Sequence, residues 1–380
     1  MEKYKKYLNK YTYLLIGLIV LIVSSVLFII PNFETEEFSQ EVIEDIVEGI
    51  TTTTVINNEE DQSNISSQEV LIEEDLQISE EEKVAIQDIL IHNKTEKILE
   101  GFNTYLLIGS DERSGTSIET RGKVDGKRAD VIILGLIDKE SNESTLLSFP
   151  RDLLVENTCT QKLERINAAY VKNACGNSAE NLAAAIYSIS GIKIDHFASF
   201  DFEGFEEIID SVDGIEICVD VTQKEGYSFE LQKGCQNVNG LATLNWVVSR
   251  STEVLVGEKK VDANGNDNSE WKLMPGVSDL TRITRQQYVV VQLINELKEF
   301  KSVAELNKFI KALENTFVID ENLTINKAVE LLWDFREFDL SKIKKITTPV
   351  DYLTLNDGRQ VLVLNQNLYE FLLKESVIDS

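Results

Sequence analysis

Residues 129–152 read ADVIILGLIDKESNESTLLSFPRD, and their pattern decides the fold. Val131–Ile137 (VIILGLI) is an apolar run, Ser144–Phe149 (STLLSF) is uncharged around Leu146-Leu147, and Asp138–Glu143 between them is polar. Two runs of six or seven residues without a charge, separated by a polar, charged turn, predict two strands of a hairpin. Upstream, Thr104–Gly109 (TYLLIG) predicts a third strand. If it lies antiparallel to Val131–Ile137, the three strands run up, down and up. Three polar clusters then meet at one sheet edge: Ser110-Asp111-Glu112-Arg113, Arg128-Ala129-Asp130 and Pro150-Arg151-Asp152. Open α/β sheets bind ligands beyond the carboxyl ends of their strands. Aspartates suit a hard cation and arginine forks suit phosphate oxygens, so the edge is expected to form a magnesium and phosphate site.

Working outward, helices are expected at Ser178–Ser190, Phe202–Val212, Leu241–Arg250 and Arg282–Phe300. Strands are expected at Ile194–Phe200, Ile215–Val219 and near Ile343–Thr348. Interleaved strands and helices predict an α/β layered domain over residues 101–300. Residues 301–380 read as an extension packed on it. Residues 31–100 read as an acidic linker. Within it, 34–100 hold 20 Asp or Glu against 3 Lys, which favours a solvated, self-repelling chain. Its end differs: Ile86, Ile89 and Leu90 have helical spacing, so a helix leads into the domain.

Thr12–Ile30 is a 19-residue stretch without a charge, preceded by Lys3, Lys5, Lys6 and Lys10. As a helix it would span roughly 28 Å, about the hydrocarbon thickness of a bilayer. Lysines before it and acids after it predict a single-pass type II membrane protein. Residues 1–11 are then a cytoplasmic tail, and everything beyond the helix is extracytoplasmic. A net charge of −28 over 380 residues argues against nucleic-acid binding. Four cysteines allow three pairings. Local pairing, Cys159 with Cys175 and Cys218 with Cys235, is the simplest, at roughly 3 kcal/mol per loop in the chain-entropy model.

Arginine usage sharpens the phosphate reading. There are 27 Lys and 10 Arg, and eight of the ten Arg fall between Arg113 and Arg285. With these residues located, the chain resembles the LytR-CpsA-Psr family of cell-wall glycopolymer ligases over roughly 103–300. The motifs come in family order: Leu107 to Arg113, Arg128-Ala129-Asp130, Ser148 to Asp152, Arg165 to Tyr170, Gly191 to His196, Asp201 to Phe205, and Asp279 to Gln287. The cysteine positions resemble those of actinobacterial members.

The resemblance implies a three-layer α-β-α domain with a mixed central sheet. It also implies transfer of a phosphate-linked glycopolymer from a polyprenyl-pyrophosphate carrier, whose lipid occupies an apolar pocket, to peptidoglycan or a related acceptor. Polyprenyl phosphate is released. Asp111 and Asp130 would hold Mg²⁺. Arg113, Arg128, Arg151, Arg250, Arg282 and Arg285 would face the pyrophosphate, with Gln286 nearby. Asp111, Arg113, Arg128, Asp130 and Arg151 would be catalytic.

One departure stands out. The family usually shows Tyr-x-Arg-x-Arg where this chain has Trp246-Val247-Val248-Ser249-Arg250. Val248 removes one phosphate contact, which implies a weaker enzyme rather than an inactive one, unless Lys259 or Lys260 substitutes. The segment Glu253–Val277 reads either as a tolerated surface insertion or as a mobile loop flanking the site. His196 reads as structural, Phe202 and Phe205 as core-facing, and Asp152 and Asp279 as partners that orient arginines. A non-catalytic glycan-binding protein and a pyrophosphatase acting on the same donor are the alternatives.

Overall fold

The structure is a computed structural model. It describes residues 34–48, 78–93, 95, 97–110, 128–141, 143–157, 159–160, 162–172, 175–276, 278–300, 309, 317–322 and 340–378. Thr12–Ile30, Asp111 and Arg113 lie outside the described residues, and no helix within those residues is long and apolar enough to cross a membrane.

A seven-stranded mixed sheet forms the centre. Its order is β1 (Glu34–Glu36), β14 (Phe317–Asp320), β7 (His196–Phe200), β2 (Phe102–Ser110), β3 (Ala129–Asp138), β4 (Ser144–Ser148) and β15 (Lys344–Thr347). The expected up-down-up meander is its core: β2 and β4 both run antiparallel to β3. β7 lies parallel to β2, and β15 parallel to β4.

Period-two alternation divides the side chains between two layers. Leu106, Ile108, Leu134, Leu136 and Leu147 meet α3 (Ser178–Ser190), whose Ala183 and Ile186 are fully buried. α3 starts at a capping box. The Asn177 side chain accepts from the Glu180 amide, and Glu180 Oε2 accepts from the Asn177 amide at 2.9 Å. It ends at Gly191, φ 68°, where a Cβ would stand 2.0 Å from the Lys97 carbonyl oxygen. The other layer holds α4 (Phe202–Ser211), α5 (Gly240–Val248) and α6 (Asp279–Lys298). Gly240 lets α5 press on α4, because a Cβ there would come 2.3 Å from the Glu206 carbonyl oxygen.

Three expectations are corrected. Residues 34–48 are not spacer. β1 joins the sheet, and α1 (Gln40–Glu48) packs Ile43 and Ile46 into the main core against α3. Its apolar stripe, Phe38, Ile43, Ile46 and Val47, outweighs the acidic average, since burial depends on position rather than composition. The expected lead-in helix is α2 (Glu80–Asn93), with Ile86 buried against the hairpin of β16 (Val350–Thr354) and β17 (Gln360–Leu364). Residues 301–380 are not an appended extension. β14 sits inside the sheet, β15 forms its edge, and α7 (Leu368–Lys374) buries Leu368 and Leu372 in the main core.

Most of Glu253–Val277 is ordered into strands and a tip rather than an irregular loop. β12 (Glu253–Val256) and β13 (Glu270–Leu273) form a hairpin that extends β9 (Gln223–Glu225) and β10 (Phe229–Leu231) into a four-stranded sheet. The polar composition of that stretch belongs to the tip, where Asp262 and Asn266 bond each other.

Both local cysteine pairings occur. Cys159–Cys175 ties the turn of the hairpin of β5 (Leu154–Asn157) and β6 (Lys162–Arg165) to the approach to α3. Cys218–Cys235 joins opposite residues of β8 (Ile215–Val219) and β11 (Gly234–Val238). His196 is structural, as expected. Its Nδ1 lies 3.2 Å from both oxygens of fully buried Asp320, which also accepts from the Phe197 and Asn322 amides. That set of contacts fixes β14 on β7.

Candidate functional site

The expected sheet edge exists. β2 ends at Ser110, β3 starts at Ala129, and β4 ends at Ser148, followed by the Pro150–Asp152 turn. The register breaks between Gly109 and Ser110 opposite Val131 and Ala129. Gly109 is needed there, because a Cβ would stand 2.8 Å from Val131 and 3.2 Å from the Phe200 ring.

From this edge a groove runs between the sheet and α6. Its mouth is lined by Ser110, Asp130, Phe202, Val248, Arg282 and Gln286, with Leu107, Val131, Val289 and Val290 deeper. Leu107 and Val290 also line a second, apolar cavity of about 230 Å³, which continues past Ile133, Leu146 and Ile294 toward the opposite edge. The result is a long, mainly apolar slot whose charged groups, Asp130 and Arg282, lie at one end. Phe202 and Phe205, expected as core residues, pack on the second core and also line this groove.

Beside the mouth, alternating charges form a chain. Asp130 Oδ1 accepts from Arg151 Nη1 at 2.7 Å. Asp152 lies between Arg151 Nε at 3.6 Å and Arg165 Nε at 3.2 Å, so it orients arginines as expected. Arg165 is a member of this chain of charges that the sequence signals only by its place two residues before Asn167. Asn167 and Tyr170 are buried around a short 3-10 turn, where the Asn167 amide donates to the Arg151 carbonyl. They shape the turn that carries Arg151.

Among the described residues, the expected arginines converge only in part. Arg282 is 3% exposed, lines the groove, and lies in the first turns of α6, where the helix N-terminus favours anions. It is the only arginine among the described groove-lining residues. Arg285 points elsewhere: it donates to the Trp246 carbonyl at 2.8 Å and to Thr252 Oγ1 at 3.0 Å, and covers the Trp246 ring. Burial, against the raising effect of Glu225, pulls its guanidinium down to about 10, so it stays charged at neutral pH. Arg285 therefore pins the base of the β12–β13 hairpin to α5 and α6. Arg250 is exposed just beyond α5 and does not line the groove, and neither does half-buried Arg128. Val248 does line it, at the place where the resemblance implies an arginine. Neither lysine replaces it: Lys259 is ion-paired with Glu230, and Lys260 is exposed on the hairpin.

Gln287, unremarked beside Gln286, fixes the register of α6 on the sheet. Its amide donates to Ser148 Oγ and to the Ile346 carbonyl, both at 2.9 Å. For a metal, Asp130 supplies a carboxylate at the groove mouth, which suits a hard cation. Its expected partner, Asp111, lies outside the described residues, as does Arg113. Asp279 is the first residue of α6.

Comparison with known proteins agrees with this architecture. The chain is 33% identical over 155 residues to the "Probable cell wall biosynthesis protein LcpB" of Corynebacterium glutamicum, covering 39% of the chain and 36% of that protein. It is 25% identical over 232 residues to the polyisoprenyl-teichoic acid–peptidoglycan teichoic acid transferase TagU of Bacillus licheniformis, covering 61% and 62%. The chain thus spans less than two thirds of each of these relatives. Among solved structures, B. subtilis TagV superposes with a TM-score of 0.54 at 20% identity, covering 74% of the chain and all of TagV. The LytR-Csp2A-Psr enzyme from Actinomyces oris gives 0.52 at 20%, covering 74% and 96%. These two likenesses concern the fold. The LytR_cpsA_psr family profile matches residues 50–259 and 271–376, well beyond the 103–300 suggested by motifs. A profile match over most of the length, on a sheet with this edge, makes the chain a member of the LytR_cpsA_psr family.

Proposed function

We propose that this protein is a membrane-anchored transferase. It would move a phosphate-linked glycopolymer from a polyprenyl-pyrophosphate carrier to a hydroxyl of peptidoglycan or a related wall polymer. The observation that carries the reading is the groove: mainly apolar along its length, with its charged groups, Asp130 and Arg282, only at the mouth beside Gln286. That shape suits an anion with a long apolar tail. Curated relatives named as teichoic acid transferases support the same class of reaction.

In this reading the acceptor oxygen attacks the phosphorus that bears the sugar. A P–O bond forms, the bridging P–O bond breaks, and polyprenyl phosphate leaves with the electron pair. The acceptor proton passes to solvent. The chain's own contribution is positioning and charge neutralisation, which dominate phosphoryl transfer. Arg282 binds phosphate oxygens at the α6 N-terminus. Arg151, held by Asp130 and Asp152, presents a second guanidinium beside them. Gln286 donates to a phosphate oxygen, and the apolar walls exclude water. Asp130, with Asp111, would hold Mg²⁺, which when bound neutralises charge on the diphosphate.

The test incubates the detergent-solubilised full chain with a lipid-linked glycan, peptidoglycan and Mg²⁺. Covalent attachment of glycan to peptidoglycan is expected, with loss of attachment in Asp130→Ala and Arg282→Ala. Release of free glycan phosphate without attachment would make water the acceptor. Donor binding without turnover would make the protein a non-catalytic glycan carrier. Either outcome overturns the proposal.

A further inference from the structure

Glu34, the first residue of β1, follows Ile30, the last residue of the uncharged Thr12–Ile30 run, by only four positions. Four peptide links reach at most about 15 Å. The strand registers place that point on the sheet. Glu34 pairs with Val318, Val318 with Ser199, and Ser199 with Ile108. Ile108 immediately precedes Gly109 and Ser110 at the groove mouth. The chain therefore enters the sheet at the edge that carries the candidate site, three strand spacings, or about 14 Å, to one side of β2.

The rim on that side is aromatic. Phe200, Phe202 and Phe205 line the groove, and Phe317, first residue of β14, stacks on Phe200 at 5.3 Å. Apolar rings of this kind favour the headgroup–acyl boundary. A flexible spacer of about 70 residues would instead let the domain range over roughly 45 Å. The acidic segment does not occupy that position in the chain. Residues 49–77 join α1 to α2, and both of those helices pack on the domain.

We propose that the bilayer surface is the partner of the site edge. The short connection holds the domain with its groove mouth toward the headgroups, so a lipid-linked ligand passes from the bilayer into the groove without crossing bulk water. The inference rests on reading Thr12–Ile30 as a membrane anchor. The opposite edge, with the exposed Lys139–Ser141 turn between β3 and β4, faces away.

The full chain would be reconstituted in phosphatidylcholine vesicles with a single added cysteine, both disulfides kept, and a fluorophore attached. Glu203→Cys marks the site edge at the start of α4, and Glu140→Cys marks the far edge. Lipids spin-labelled at the headgroup should quench the label at 203 more strongly than the label at 140. Equal or reversed quenching overturns the proposal. Inserting 30 Gly/Ser residues between Ile30 and Pro31 gives a reach of about 30 Å and should abolish the contrast. A contrast that survives would overturn the short connection as its cause. Failure of the chain to float with vesicles would remove the anchor and this proposal together. Transfer activity, assayed separately in detergent, would still stand or fall alone.

Discussion

Val248 lines the groove mouth with Arg282 and Gln286, at a place where the family resemblance implies an arginine. Val248→Arg places a third guanidinium near that of Arg282. If donor phosphates occupy the mouth, it should tighten donor binding by about 1–3 kcal/mol, read as a lower KM for lipid-linked donor. Lys259→Ala with Lys260→Ala should leave transfer unchanged, because Lys259 is committed to Glu230 and Lys260 is exposed. Arg285→Ala makes the opposite kind of forecast. This residue binds the Trp246 carbonyl and Thr252 rather than the groove. Its removal strands buried acceptors and should lower stability by about 2–4 kcal/mol in a denaturant melt, while KM for the fraction that remains folded changes little.

At the scale of elements, the β3–β4 turn is held by one carboxylate. Asp138 Oδ1 accepts from the Ser141 amide at 2.6 Å, the Ser141 hydroxyl at 2.9 Å and the Glu140 amide at 2.9 Å. The Ser141 amide bond is the largest cause of a lowered Asp138 pKa. A carboxyl whose folded pKa lies below its unfolded value stabilises the protein above the ordinary carboxylate range, and that contribution fades as pH falls through the folded value. Asp138→Ala should therefore cost about 1 kcal/mol near neutral pH, and the gap from the native protein should narrow in acid. Glu180 holds two elements at once. One oxygen completes the α3 cap, and the other accepts from the Ser39 amide at the start of α1. It is 5% exposed. Glu180→Ala should release α1 from α3 and lower the melting temperature, with faster proteolysis between 34 and 48 as the specific readout.

At the scale of the whole molecule, strands distant in sequence share one sheet. β14 lies between β1 and β7, and β15 pairs with β4. A chain ending at residue 300 would lose both, along with α7 and the β16–β17 hairpin that covers Ile86. It should fail to fold, giving no cooperative transition by circular dichroism. A stable 1–300 fragment would restore the boundary expected from sequence.

The local code was legible wherever it rested on periodicity. The meander from Phe102 to Ser148, the ends of α3 and the β8 strand follow from apolar runs, a capping box and a helix-ending glycine. The clustering of Asp130, Arg151 and Asp152 followed from strand direction alone, since adjacent antiparallel strands must bring those turns together. Tertiary structure decided the rest. Arg282 and Arg285 are three residues apart on one helix, yet one lines the groove and the other binds a neighbouring backbone carbonyl. A motif names both without saying where each side chain points. The acidic average over 34–48 hid β1 and α1, because a few buried positions outweigh many exposed charges. β14 has four residues, and its place is set by strands on either side and by Asp320 reaching His196. Such contacts span more than a hundred residues, and a window along the chain cannot contain them.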